Sequence, residues 1–346
     1  MIHEHHNTFA ARFEVLRNNA VFATLHDMDS SVEIANTADS ALKMTIRGNF
    51  ADYSDEIDFL TDRLRPVITI NDVDYPCGVF VITTETKTRS DGVEGYTLEG
   101  YSLLYLAERK KIETPLYIAA GTNYITAIVN LLTTCGLTSI DAESTSYTFA
   151  TDRQDWEVGT SVLDIVNQLL AEISYNSAWV DLSGAVRLTK YEQPSISTVD
   201  HIYNSGEYSL IEDYYKITRD RFSKCNVFRV TCENPELDSP MVATSINDSA
   251  DSPYSVSKMG RILYTEDVDN IPSQVALQAY ADKLKYQSLQ TTEAVVFRTA
   301  IVPEHESFDV VALELGDMVG IYTETEWRIP ISAGGTMEHK ARRIIL

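Results

Sequence analysis

The chain has 346 residues with 51 acidic against 28 basic side chains, and a net charge of −23 argues against tight binding to phosphate backbones by counterion release. The length exceeds what one core usually serves, so about two to four domains are expected, and a hydrophobic content of 44% is that of an ordinary globular protein. The longest apolar runs, such as Val79-Phe80-Val81-Ile82, fall far short of the roughly 20 residues a membrane span needs.

The N-terminus, MIHEHHNTFAARFEVL, carries acids and imidazoles where a secretory signal would carry lysines and an apolar core, so no export is expected. From Val21 to about Tyr101 the pattern is almost all β, with short apolar runs separated by turn residues, which predicts a barrel or sandwich. One strand is expected at Val67 to Ile70, a turn at Asn71-Asp72, and a second strand at Cys77 to Thr83. Ser90-Asp91-Gly92 closes a hairpin into Tyr96 to Glu99, and Ser102 to Ala107 reads as a short helix.

A second region starts near Lys111. Thr122 or Asn123 is placed to cap a helix with Ile125, Ile128, Val129 and Leu132 on one face, and Gly136 supplies its left-handed stop. Ser161 and Asp164 bracket the start of another helix, with Val162, Ile165, Val166, Leu169, Leu170 and Ile173 at helical spacing. After Tyr175 the period drops to two, and Ser183-Gly184 offers the turn between Trp179-Val180 and Val186 to Leu188. Residues 111–194 are therefore expected to be an inserted α/β domain.

A polar linker is expected from Ser195 to Glu207. Strands resume at Asn226 to Val230, Ala294 to Ile301 and Met318 to Tyr322, with a helix from Pro272-Ser273 through Gln274 to Tyr286. The expected organisation is thus mainly β with an α/β insert: a first barrel over 1–110, completed by about 195–222, the insert at 111–194, and a second barrel over 223–346 carrying the helix at about 273–287.

Chemistry is hard to find along this chain. Four cysteines, Cys77, Cys135, Cys225 and Cys232, are too few and too scattered for a disulfide framework or a zinc site, which suits reduced thiols and synthesis in a cytoplasm. The His3-Glu4-His5-His6 cluster has metal-ligand chemistry but sits at the chain end, while His26, His201, His305 and His339 read as isolated. No G-x-S-x-G and no Gly-rich loop followed by Lys occurs. The acid pairs Asp27/Asp29, Asp72/Asp74 and Asp267/Asp269 are what chance yields among 51 acids. No catalytic residue, cofactor or metal is expected. Nineteen tyrosines, with Tyr203, Tyr208, Tyr214 and Tyr215 in one span, suit an interface or a sugar-binding face as well as strand packing.

Four stretches resemble the baseplate hub proteins of bacteriophage tails and related contractile particles, a family that includes the N-terminal part of tail-associated peptidases. They are DEIDFLTDRLRPVITIN at 55–71, YPCGVFVITTETKTRSDGVEGYTLEGYSLLYLA at 75–107, the segment 156–191, and ELGDMVGI at 314–321. The resemblance implies two tail-tube-like β-barrel domains, the first interrupted by the α/β insert, and a homotrimer whose six barrels form a ring. Such a hub adapts the hexameric tail tube, or a distal tail protein, to a central spike or tip. A tape measure protein is a further implied partner, and DNA passes only as cargo through a bore that acidic side chains would keep from sticking. The implied location is the baseplate or tip of a virion tail. The sequence ends at Leu346 without a peptidase or lysozyme-like extension, so no enzymatic activity is expected to carry over. The competing expectations are a tail-tip cell-wall hydrolase using the acid pairs and a β-protein that binds host-surface carbohydrate through its tyrosines.

Overall fold

A computed structural model of the chain describes residues 8–27, 30–51, 56–90, 93–206, 210–219, 224–233, 239–290 and 293–343. The protein is mainly β, and fourteen strands belong to one continuous sheet. Eight come first: β1 (Phe9–Arg17), β2 (Ala20–Asp27), β3 (Glu33–Thr37), β4 (Met44–Ala51), β5 (Arg63–Ile70), β6 (Val73–Pro76), β7 (Phe80–Ser90) and β8 (Val93–Ser102). Antiparallel pairings run β1–β2, β2–β4, β4–β8, β8–β7, β7–β5 and β5–β1, so six strands form a closed hydrogen-bonded circuit. Alternation explains it: β4 reads MTIRGNFA with Met44, Ile46, Gly48 and Phe50 turned inward, and β8 contributes Tyr96 and Leu98. Inside, Phe13 meets Phe50 edge to face at 5.0 Å, among Leu25, Leu64, Ile68 and Phe80. Gly100 lies where a Cβ would come within 2.7 Å of the Val81 carbonyl, so β7 and β8 approach closely there.

Several elements differ from expectation, among them the strand placed at Cys77 to Thr83, which is β7 and begins at Phe80. Strand β1 precedes the β region read from the sequence, although Phe9, Ala11, Phe13 and Val15 alternate as a strand should. Strand β5 starts at Arg63 and runs through Pro66, which offers its carbonyl to Cys77. The helix near 102–107 is shifted to α1 (Tyr105–Arg109). The Asn71-Asp72 turn is present with φ of 50° and 63°, and Ser90 pairs with Val93, while residues 91 and 92 lie outside the described residues.

The next stretch holds α2 (Tyr124–Thr134), β9 (Ile140–Ala142), α3 (Val162–Glu172), β10 (Trp179–Val180) and β11 (Val186–Leu188), with a small sheet in the order β10-β11-β9. Asn123 caps α2 by accepting from the Thr126 N–H, and Ser161 caps α3 by accepting from the Asp164 N–H. Val162, Ile165, Val166, Leu169 and Leu170 of α3 are buried in one core with Ile128 and Leu132 of α2, each such side chain contributing about 1.5–3 kcal/mol. The β10–β11 turn is held by Asp181, whose Oδ1 accepts from the N–H groups of Ser183 and Ala185, and Gly184 takes a φ of 94°. That hairpin tip seats against β6–β7: the Gly78 N–H donates to the Leu182 carbonyl, and Gly184 abuts Val79.

The region expected to be a linker holds a 3-10 turn at Ile196–Thr198 and a short strand, β12 (His201–Asn204). With β13 (Ile211–Arg219) it joins the later strands and not the first circuit. A separate three-stranded sheet follows: β14 (Val227–Cys232) lies between β15 (Met241–Ile246) and β16 (Leu263–Val268), with the short α4 (Val256–Met259) between β15 and β16. Helix α5 (Gln274–Gln290) covers this sheet with Ala276, Leu277 and Ala281. The chain ends with β17 (Glu293–Ala300), β18 (Val310–Leu315), β19 (Met318–Pro330) and β20 (Thr336–Arg343). Pairings run β13–β17–β20–β19–β18–β12, all antiparallel except β12–β18, around a core of Tyr203, Phe297, Val311, Leu313, Met318 and Tyr322. Strand β3 pairs with both β4 and β19 and so fuses the two strand sets.

Candidate functional site

The parallel register of β12 on β18 pairs His201 with Val311 and Tyr203 with Leu313. Alternation turns His201 and Tyr203 inward and leaves Ile202 71% exposed. Segment 301–309, between β17 and β18, delivers His305 and Asp309 to the same place. Strand β19 brings Glu324, and β20 brings His339, which stacks on Phe297 at 4.5 Å. A bulge makes room for Glu324: register shifts between Glu324 and Glu326, so inward positions change from Tyr322 and Glu324 to Trp327 and Ile329.

His201, His305 and His339 are thus neighbours, which corrects their reading as isolated residues. His201 and His305 stack at 3.9 Å, and His305 and His339 lie 4.8 Å apart. The carboxylate of Glu324 accepts from both inner rings, with His305 Nδ1 at 2.6 Å and His339 Nδ1 at 2.5 Å. Beyond them His305 Nε2 meets the Tyr203 hydroxyl at 2.6 Å, and His339 Nε2 meets the Thr299 hydroxyl at 2.8 Å. His201 Nε2 sits 3.1 Å from Asp309, which also accepts from the Glu306 N–H at 2.8 Å. His305, His339 and Glu324 are at most 1% exposed.

Burial opposes the Glu324 charge, but the two imidazoles outweigh it and hold its pKa down at about 2. Burial pushes His339 below its ordinary value, against the pull of Glu324 and with the other two rings adding to the fall. His201 is also disfavoured by burial, yet Asp309 prevails and raises it. The Tyr203 phenol is driven well above its ordinary value by burial and by the surrounding carboxylates.

Three potential ligands converge twice, as His201/His305/Asp309 and as His305/Glu324/His339. Neither set has the geometry of a metal centre. Around an ion such as zinc, nitrogen and oxygen ligands stand about 3.3–3.5 Å apart, whereas the Glu324 contacts of 2.5 and 2.6 Å are those of N–H···O bonds. The His201 and His305 rings stack with 16° between their planes, so their in-plane lone pairs run side by side and do not converge. The cluster is a proton-filled network. No substrate reaches its inner rings, although a groove of about 340 Å³ lined by Lys190, Tyr191, Glu192, Asp200, Gln290 and Phe308 lies beside it.

The other singled-out residues do not assemble. Asp74 is paired with Arg12 at 2.7 Å, and neither it nor Asp267 or Asp269 belongs to a potential ligand group among the described residues. His3 to His6, Asp29 and Tyr208 lie outside the described residues. Tyr214 is exposed and carries Arg298 over its ring at 4.5 Å, while Tyr215 packs on Gly316. All four cysteines are free, and burial pushes Cys77 up to about 12. The one sequence signal for the cluster is the broken alternation in TETEWRI, which marks the bulge.

No protein-family model and no curated protein matches this sequence. Solved structures do. A tail protein from Neisseria meningitidis is similar at a TM-score of 0.66 and 13% identity over 97% of this chain and 96% of that one. The chain has the fold of phage tail proteins. The 43 kDa tail protein of prophage MuSo2 from Shewanella oneidensis gives 0.66 at 8% identity over 96% of this chain and 98% of that one. The Escherichia coli c3393 protein, a type VI secretion component described as similar to the phage tail proteins gp27 and gp5, gives 0.52 at 9% identity over 98% and 77%. These likenesses run through both strand sets and the small α/β units alike.

Proposed function

We propose that this chain is a structural hub at the baseplate or tip of a phage tail or phage-like injection particle, a homotrimer that adapts a hexameric tube to a central spike or tip. The observation that carries the reading is end-to-end likeness to tail proteins across 96% or more of the chain. The closed six-strand circuit is then the first barrel. The second is the set β13–β17–β20–β19–β18–β12, interrupted by the β14–β16 sheet with α5, just as the first is followed by the α/β insert. Two similar barrels per copy and three copies give a ring that is threefold in sequence and nearly sixfold in shape, which suits a mismatch of symmetry between tube and spike.

Open edges support assembly. Among the described residues β12 and β13 each pair on one side only, and Ile202 and Tyr214 stand exposed on them. The acid excess supports a bore that DNA traverses without adhering. Distal tail, tube, spike and tape measure proteins are the proposed neighbours, and the role is non-enzymatic. Light scattering on the purified chain tests this: a species of three times 38.8 kDa is expected. A monomer persisting at high concentration, with no binding to tube or spike proteins, contradicts it.

A further inference from the structure

Segment 301–309 is where the parts of the molecule meet. Glu306 accepts from the Leu182 N–H at the tip of the β10–β11 hairpin, and its own carbonyl accepts from the Trp327 indole. The Ser307 hydroxyl donates to Asn36 of β3, and the Asp309 carbonyl accepts from the Glu324 N–H. His305, in the middle, is held by Glu324 and Tyr203. We propose that the imidazole cluster of His201, His305 and His339 is an acid-sensitive latch: proton uptake releases segment 301–309 and uncouples the hairpin tip from the two strand sets. The proposal stands apart from the assembly reading, since it concerns contacts within one copy.

Donor and acceptor counting gives the reason. With neutral rings both Nδ1–H groups serve Glu324 and His305 Nε2 accepts from the Tyr203 hydroxyl, while the Thr299 hydroxyl, 2.8 Å from His339 Nε2, donates to the Ala300 carbonyl at 2.7 Å. A second proton taken up by the cluster sets positive rings beside one another away from solvent: His305 and His339 are both fully buried with 4.8 Å between their centres. If His201 and His305 are both charged, their rings face each other at 3.9 Å.

The surrounding charges set the sign. Asp200 and Asp309 face the cluster from the β12–β18 side, Glu324 from β19, and Glu304 and Glu306 from the segment itself. Strand β17 offers the neutral Thr299, and the insert contributes Asp181 and Arg187 through Glu306. His339 ionises less readily when closed than when released, so the closed form loses stability as pH falls below about 6.5, the ordinary histidine value. His201 opposes this, because its raised value adds stability that is complete below about 6.5 and fades as pH rises. Glu324 stays ionised through this range. Protonation of His201 therefore tightens the cluster, and protonation of His339 opens it.

Hydrogen exchange on the full chain, corrected for intrinsic rates, tests the latch. Between pH 7.5 and 5.5 protection of segment 301–309 and β12 should fall, with the loss setting in below the ordinary histidine value of about 6.5. In His339→Asn, whose amide keeps a donor where Nδ1–H stood and takes up no proton, the fall should vanish. Unchanged protection in the unaltered protein, or an equal fall in the variant, overturns the proposal. A second readout avoids dependence on the variant's folding: in the unaltered protein a buried imidazole should titrate together with the loss of protection, and loss of protection with no ring titrating overturns it. So does one zinc per chain in the purified protein with a chelator reproducing the opening at pH 7.5.

Discussion

Arg153→Leu is expected to weaken the core around α2 and α3, by an amount the structure bounds. Arg153 is 2% exposed and gives two hydrogen bonds to the Glu172 carboxylate, at 2.9 and 3.1 Å, and others to Asp155. Glu172 sits in α3 at 6% exposure, and burial already holds its pKa above the ordinary value even with Arg153 beside it. Removing the guanidinium leaves a buried carboxylate with the Tyr124 hydroxyl as its remaining strong partner. Breaking a buried pair from one side costs about 3–5 kcal/mol. With a urea dependence of about 2 kcal/mol per molar, the midpoint should fall by about 2 M. Trp156 lies 4.9 Å from the guanidinium, and Trp179 is in the same unit, so tryptophan fluorescence reports the transition. The pH dependence has a definite sign. A carboxyl whose folded pKa is raised adds stability when protonated and loses it as pH climbs through that value, so the variant should regain stability as pH is lowered toward the ordinary glutamate value of about 4.3. Replacing both residues, Arg153→Leu with Glu172→Leu, should return most of the loss, because no charge is then left buried. A single variant that loses less than about 1 kcal/mol, with no recovery in acid, refutes the reasoning.

Gly100→Ala places a methyl 2.7 Å from the Val81 carbonyl between β7 and β8, so thermal melting followed by circular dichroism should show a loss of about 1–3 kcal/mol. Trp327→Ala empties a site 1% exposed between the two strand sets and removes the indole bond to Glu306, which should cost about 3–5 kcal/mol by denaturant unfolding. Zymography on bacterial walls should show no clearing by the purified chain; clearing abolished by a single acid-to-amide change would replace the structural reading with a hydrolase.

What the sequence made legible is what neighbours in the chain decide. The caps at Asn123 and Ser161, the α3 face, the Ser183-Gly184 turn and the helix after Ser273 rest on contacts within a few residues, and each appears near its expected place. Strand β12 is four residues long and exists because β18, more than a hundred residues later, offers it a parallel edge. Strands β14 to β16 are as short as many strands of the large sheet, and nothing local in them tells which sheet they join. The histidine cluster was invisible for the same reason: His201, His305 and His339 come from three separate elements, and only the tertiary register brings their rings together.

The central claim, that this chain is a threefold joint of nearly sixfold shape, is tested most directly by electron microscopy of the purified oligomer viewed down its axis. The account predicts three copies around an open centre with six similar lobes from the paired strand sets. Particles holding a single copy, or oligomers without a central opening, would contradict it.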